Sequence, residues 1–222
     1  ILFVIDRSID RSSLISTASA SASASAASIT QWGEIGSNGT GRPPYGIKHG
    51  IPAGWVALLR NRYARRIDLF NRGYSGYNTR MALAIADRIF ESSKRFAFVI
   101  VFFGANDVSD ARLNPQQHVP IDEYESNLKR ICELAKKRTD RLILISPPAV
   151  DETKWNDRKN RDVERYAERT AKTAKAYDAD FVNLYRATAG QCETYLSDGL
   201  HLNPTGNAYL AQQLCKRLDE DE

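Results

Sequence analysis

Only three histidines occur among the 222 residues, so the search for a side chain that exchanges a proton near neutral pH is short. One of them, His201, stands in SDGLHLNPTGNAYLAQQL, where a polar loop gives way near Pro204 to an apolar pattern of helical spacing. Asp198 precedes His201 by three positions. In a loop that spacing lets a carboxylate hold one ring nitrogen, fixing the tautomer and leaving the other nitrogen free to act as a base. The plainer reading is an Asp-Gly turn before a helix, with a histidine at the surface. The short spacing alone favours the plainer reading.

Three further stretches carry groups that such a base could serve. Gly104-Ala105-Asn106-Asp107 follows the apolar run FAFVIVFF. There the Asn106 carboxamide could donate to a developing oxyanion and Gly104 would let the backbone turn sharply, although Asn-Asp also simply favours a turn. The stretch NRGYSGYNTR (71–80) offers the backbone N–H of Gly73, or else a glycine loop leading into a helix capped by Asn78 or Thr79. Ser28, at the head of SITQWG, is a candidate nucleophile that a neighbouring Ala/Ser tract makes uninformative by itself. No phosphate-cradling pattern, neither G-x-x-x-x-G-K-[ST] nor G-x-G-x-x-G, occurs anywhere in the chain, which argues against a flavodoxin-like nucleotide binder.

The elements that must position these groups alternate along the chain. Apolar runs at 1–5, 66–70, 96–103, 141–145 and 180–184 read as strands buried on both faces. Helical spacing is expected over 54–64, 79–90, 121–137, 159–177 and 204–218. In the fourth of these, Val163, Tyr166, Ala167, Thr170, Ala171, Ala174 and Tyr177 share one face, and the opposite, charged face reads as solvated. Strands alternating with helices imply a doubly wound α/β domain, with its ligand beyond the carboxyl ends of the strands. Residues 17–28, TASASASASAAS, break the pattern and read as a loop or a frayed helix. One domain is expected over 1–218, interrupted by a low-complexity insertion at 6–27 and followed by an acidic tail at 219–222.

Composition narrows the function classes. With 42% hydrophobic and 26% charged residues, the chain is of ordinary globular make-up, neither collagenous nor a disulfide scaffold. Its 31 Lys and Arg against 27 Asp and Glu leave +4 spread along the sequence, too diffuse a footprint for a nucleic-acid partner. Three scattered cysteines, Cys132, Cys192 and Cys215, form no C-x-x-C. They point to a reducing, cytoplasmic setting and away from cysteine-bound zinc, with Cys132 and Cys215 expected as core thiols. No run approaches the ~20 apolar residues of a membrane span. The first residue is Ile1 rather than Met, so the true amino terminus is expected upstream, and residues 1–5 are too short to be a signal peptide themselves.

Together, WVALLRNRYARRIDLFNRGYSGYNTR, VIVFFGANDVS, QQHVPIDEYESNL and SDGLHLNPTGNAYLA, in this order, resemble the SGNH (GDSL-type) hydrolases, and most closely the isoamyl acetate-hydrolysing esterase group. The resemblance runs from about Ser28 to Leu218. It implies a three-layer α/β/α fold around a doubly wound, mainly parallel, five-stranded, flavodoxin-like sheet. It also implies hydrolysis of a small-molecule ester with a short acyl group through an acyl-enzyme, without metal or organic cofactor. By the same resemblance Ser28 is the nucleophile, His201 the base and Asp198 its orienting carboxylate. The N–H groups of Ser28 and Gly73 and the side chain of Asn106 form the oxyanion hole. The family sets Gly-Asp immediately before its nucleophile and joins it directly to the first strand, whereas here Ala26 and Ala27 hold those places. Asp6-Arg7-Ser8-Ile9 is a second echo of the block without the T-Q-W-G continuation, so the nucleophile is assigned to Ser28 rather than Ser8. The missing Gly-Asp supports one alternative, a protein that binds a ligand or partner without turnover.

Overall fold

Successive side chains of a strand point to opposite faces, so an apolar run without polar interruption demands cover on both sides. The computed structural model of the chain shows how that demand is met. It describes residues 54–91 and 95–219, together with the backbone of 2–6. The strands are β1 (Leu2–Asp6), β2 (Asp68–Asn71), β3 (Phe98–Phe102), β4 (Leu142–Ile145) and β5 (Asp180–Val182). They form one sheet in the order β2-β1-β3-β4-β5. Along β3, Val99 and Val101 join one core while Phe98 and Ile100 join the other. On β4, Leu142 and Leu144 divide in the same way from Ile143 and Ile145.

Five longer helices cover the two faces: α1 (Trp55–Arg62), α2 (Thr79–Phe90), α3 (Ile121–Lys136), α4 (Asn160–Ala176) and, near the carboxyl terminus, Pro204–Asp219. The first core takes Ala86 and Phe90 of α2, Leu128, Ile131 and Cys132 of α3, and Val163, Tyr166 and Ala174 of α4. The second takes Trp55 and Leu59 of α1 with Leu210, Leu214 and Leu218 of the last helix. Two short helices, α5 (Leu184–Thr188) and α6 (Cys192–Tyr195), lie between β5 and that last helix, α7. The expected three-layer α/β/α arrangement is therefore present. Each of the five strands and five long helices falls within a few residues of its expected place.

Two details differ from expectation. β3, β4 and β5 pair in parallel, but β1 is antiparallel to both of its neighbours, β2 and β3. Four strands therefore share one direction and β1 alone is reversed. An apolar run reports burial, which is the same whichever way the strand runs, and so carries no sign of direction. The acidic tail was expected from Asp219 onward, yet Asp219 is the last residue of α7. Its carboxylate accepts from Arg62 Nη2 at 2.9 Å and from Tyr63 Oη at 2.6 Å, closing α7 onto α1. Ser28, Ser8 and the tract at 17–28 lie outside the described residues.

Candidate active site

The four parallel strands end at one edge of the sheet, and the described candidates for chemistry all lie on the loops that leave it. After β2 comes Gly73, whose N–H donates to Asn71 Oδ1 at 2.9 Å. The loop then stacks Tyr74 on Tyr77, ring centroids 4.8 Å apart, before Asn78 caps α2 by accepting from Met81 N at 2.8 Å. Between the two cap candidates, the structure selects Asn78.

After β3 the chain turns at Gly104, which has φ +113 and whose absent Cβ would meet Tyr124 Oη at 2.9 Å and Pro147 at 3.0 Å. Only glycine fits both the conformation and the space. The turn is then locked from inside by Asp107, a fully buried carboxyl that accepts from Thr79 N (2.8 Å), Thr79 Oγ1 (2.5 Å) and Gly104 N (3.2 Å). Burial pushes that carboxyl upward against those three hydrogen bonds. Fixed in this way, Asn106 donates one Nδ2 hydrogen to Tyr77 O at 3.0 Å. A carboxamide carries two such hydrogens, and among the described residues the second has no acceptor.

The loop before α7 carries Asp198 and His201. An antiparallel bridge between Leu196 and Leu202 closes it, with Ser197 N donating to His201 O at 2.8 Å. Within it, Asp198 Oδ1 accepts from the backbone N–H groups of Leu200 (3.0 Å) and His201 (2.8 Å), and Oδ2 meets His201 Nδ1 at 2.7 Å. Desolvation alone would raise the Asp198 carboxyl, but hydrogen bonds from the backbone and ring of His201 and from Leu200 N–H outweigh it, holding the group at about 2. Asp198 is thus an ionised, oriented partner at neutral pH, and among the described residues the other ring nitrogen of His201 has no partner. An exposed histidine after an Asp-Gly turn is what the plainer reading also expects, and the structure adds the contact between the carboxylate and the ring.

Of the five site residues expected from the sequence, the structure places Gly73, Asn106, Asp198 and His201 at one edge of the sheet, and Ser28 lies outside the described residues. Sequence reasoning missed Trp155 and Arg158. Trp155 donates from Nε1 to Asp198 O at 3.0 Å and stands edge-on to the His201 ring at 6.1 Å. Arg158 packs on the Trp155 ring and donates into the Asn106 turn. The one available signal was the interruption of a charged run by a tryptophan, in KWNDRKNRD. Among the described residues, no three or more His, Cys, Asp or Glu side chains are grouped as a metal ion would require. Among them, too, no helix is long and apolar enough to cross a membrane.

Known proteins share both the sequence and the architecture. Residues 28–209 match the GDSL-like lipase/acylhydrolase family. A mouse (Mus musculus) protein named isoamyl acetate-hydrolyzing esterase 1 homolog is 38% identical over 186 residues, 75% of each chain. The Saccharomyces cerevisiae isoamyl acetate-hydrolyzing esterase is 30% identical over 178 residues, 73% of this chain and 74% of that one. In three dimensions, the lipase/acylhydrolase from Enterococcus faecalis superposes with a TM-score of 0.63 at 22% identity, covering 75% of this chain and 85% of its own.

Proposed function

From the premise that this chain belongs to the GDSL-like lipase/acylhydrolase family, we infer a serine esterase that hydrolyses short acyl esters, acetates foremost, through an acyl-enzyme. The observation that carries the reading is the Asp198–His201 pair: an ionised carboxylate anchored by two backbone N–H groups and set 2.7 Å from Nδ1 of an imidazole. It shares its edge of the sheet with an amide donor held on Asn106. Ser28 Oγ attacks the ester carbonyl as His201 Nε2 takes its proton. The tetrahedral oxyanion is held by Asn106 and by backbone N–H groups, and it collapses to acyl-Ser28 as His201 returns the proton to the departing alcohol. Water, deprotonated by the same nitrogen, then releases the acid. The part assigned to Gly73 requires its N–H to turn from Asn71 Oδ1 to the substrate.

Chain reach supports Ser28 over Ser8. Asp6 pairs with Asp68, the first residue of β2, so reversed β1 ends at the edge where the other strands begin. Two residues span at most about 7 Å, whereas a five-residue strand is roughly 16 Å long. The two-residue link from Asp6 to Ser8 is therefore shorter than the strand is long, and the 22-residue link to Ser28 carries no such limit. The relatives named as esterases support turnover rather than binding alone. The free thiols of Cys132, Cys192 and Cys215 support a reducing, cytoplasmic setting.

The test is hydrolysis of p-nitrophenyl acetate together with labelling by a fluorophosphonate, the modified residue being identified by peptide mass. The expected result is a single label on Ser28, lost in Ser28→Ala along with the activity. A label on Ser8, or none on a folded and unhydrolysing chain, overturns the reading.

A further inference from the structure

Arginine is rarely fully buried unless every donor is used. Arg158 is 2% exposed, although it sits in one of the most charged stretches of the sequence. Its Nε donates to Ala105 O at 2.8 Å, the carbonyl just before Asn106, and its Nη2 donates to Gln117 Oε1 at 2.9 Å and lies 3.5 Å from Asn106 Oδ1. Nη1 is held by both oxygens of Asp157, at 2.6 and 2.7 Å, which balances the buried charge. Next to it, Asp110 N donates to Asp157 O at 2.6 Å, a second tie to the same turn. On its other side the guanidinium carbon stands 5.2 Å from the ring of Trp155, the side chain that donates to Asp198 O and borders His201.

We propose that Arg158 is a positioning residue: it fixes the direction of the Asn106 carboxamide and joins the oxyanion-donor turn to the Asp198–His201 loop. The amide oxygen of Asn106 faces the guanidinium, and its nitrogen faces Tyr77 O. If the amide flipped, two acceptors would meet at Tyr77 and two donors at Arg158, so the two contacts enforce the same orientation. The charge acts at short range in a dry setting, where it is weakly screened. The same guanidinium packs on Trp155 as a cation on a π face, so the brace behind the base and the orientation of the donor depend on one side chain. Lysine would not replace it, since a single ammonium cannot fork between Ala105 O, Gln117, Asp157 and the Asn106 amide. The functional effect assumes the esterase reading above, but the orientation of the amide does not.

The experiment therefore has two readouts on the full chain, applied to wild type, Arg158→Met, Arg158→Lys and the surface control Arg161→Met, whose side chain is 84% exposed. In ester hydrolysis, Arg158→Met and Arg158→Lys should each lower kcat by ~10-fold or more, as expected for misplaced reacting groups. KM should stay within about twofold, because the donor acts chiefly in the transition state. Arg161→Met should match wild type. In ¹H–¹⁵N spectra, the side-chain amide of Asn106, identified by its loss in Asn106→Asp, should show two well-separated protons in wild type that draw together in both Arg158 variants. Arg158→Lys keeps the positive charge and serves if Arg158→Met does not fold. Folded Arg158 variants with wild-type kcat, or with the Asn106 amide signals unmoved, overturn the proposal. Were wild type to hydrolyse no ester, the esterase reading would fall while the amide signals still decided the role of Arg158.

Discussion

A histidine held through Nδ1 has a single nitrogen left to work with, and at this site everything upstream of that nitrogen is backbone-anchored. On the proposed mechanism, His201→Ala removes the base itself, whereas Asp198→Ala removes its support. Both should retain the fold, and the first should lose more of kcat than the second. Asn106→Ala is expected to cost about 10²- to 10³-fold in kcat with a modest change in KM, as for other oxyanion donors, and steady-state kinetics on an acetate ester will show it. The low Asp198 carboxyl, at about 2, also has a consequence for acid stability. Its folded pKa lies below its unfolded one, so its contribution is fully present above the unfolded value of about 4 and disappears as pH falls toward the folded one. Denaturant melts of wild type and Asp198→Asn should therefore differ most above pH ~4 and converge near pH ~2.

At the scale of elements, the site depends on two loops whose backbones admit no ordinary side chain. Gly199, inside the Asp198–His201 loop, has φ +90, and a Cβ there would meet Asp151 Cβ at 2.7 Å. Gly199→Ala should cost about 1–3 kcal/mol in stability for the conformation alone, measured as a lowered Tm, and should lower kcat because the displaced atoms carry the base. Asp198 and His201 were legible as candidates because they meet each other three positions apart, and Gly104 and Asn106 because they directly follow an apolar run. The opposite holds for Arg158. Its partners Ala105 and Gln117 lie some forty to fifty positions away, and the residues beside it in sequence gave it the look of a solvated face. The long helices were legible from several turns of apolar spacing, while α5 and α6, with 5 and 4 residues, are too short to show a period. Strand direction was not legible for β1, because buried apolar runs look alike read either way.

Across the whole molecule, the two cores meet through a sheet whose central pair, β3 and β4, is covered on both faces, and the chemistry is confined to one rim. No step of the proposed mechanism uses a metal. Addition of a strong chelator should leave the rate of ester hydrolysis unchanged, and an activity abolished by chelation and restored by zinc would contradict the mechanism given above. β1 has a less local effect. It lies between β2 and β3, so every one of its ladder partners belongs to a segment made much later in synthesis: Phe3 faces Asn71 on one side and Ile100 on the other. As the polypeptide emerges, this apolar strand has no partner among the described residues until Asp68–Asn71 appears and only one until Phe98–Phe102 does. β2 in turn has no other route into the sheet. Of the described strands, β1 should thus be among the last to be secured, because loops must close before its pairings count. Pulse-labelled amide exchange during refolding should find protection in β3 and β4 before β1 and β2. Until β1 docks, both of its edges are open to pairing with another copy, so its slow capture sets the interval in which this chain is most prone to aggregate.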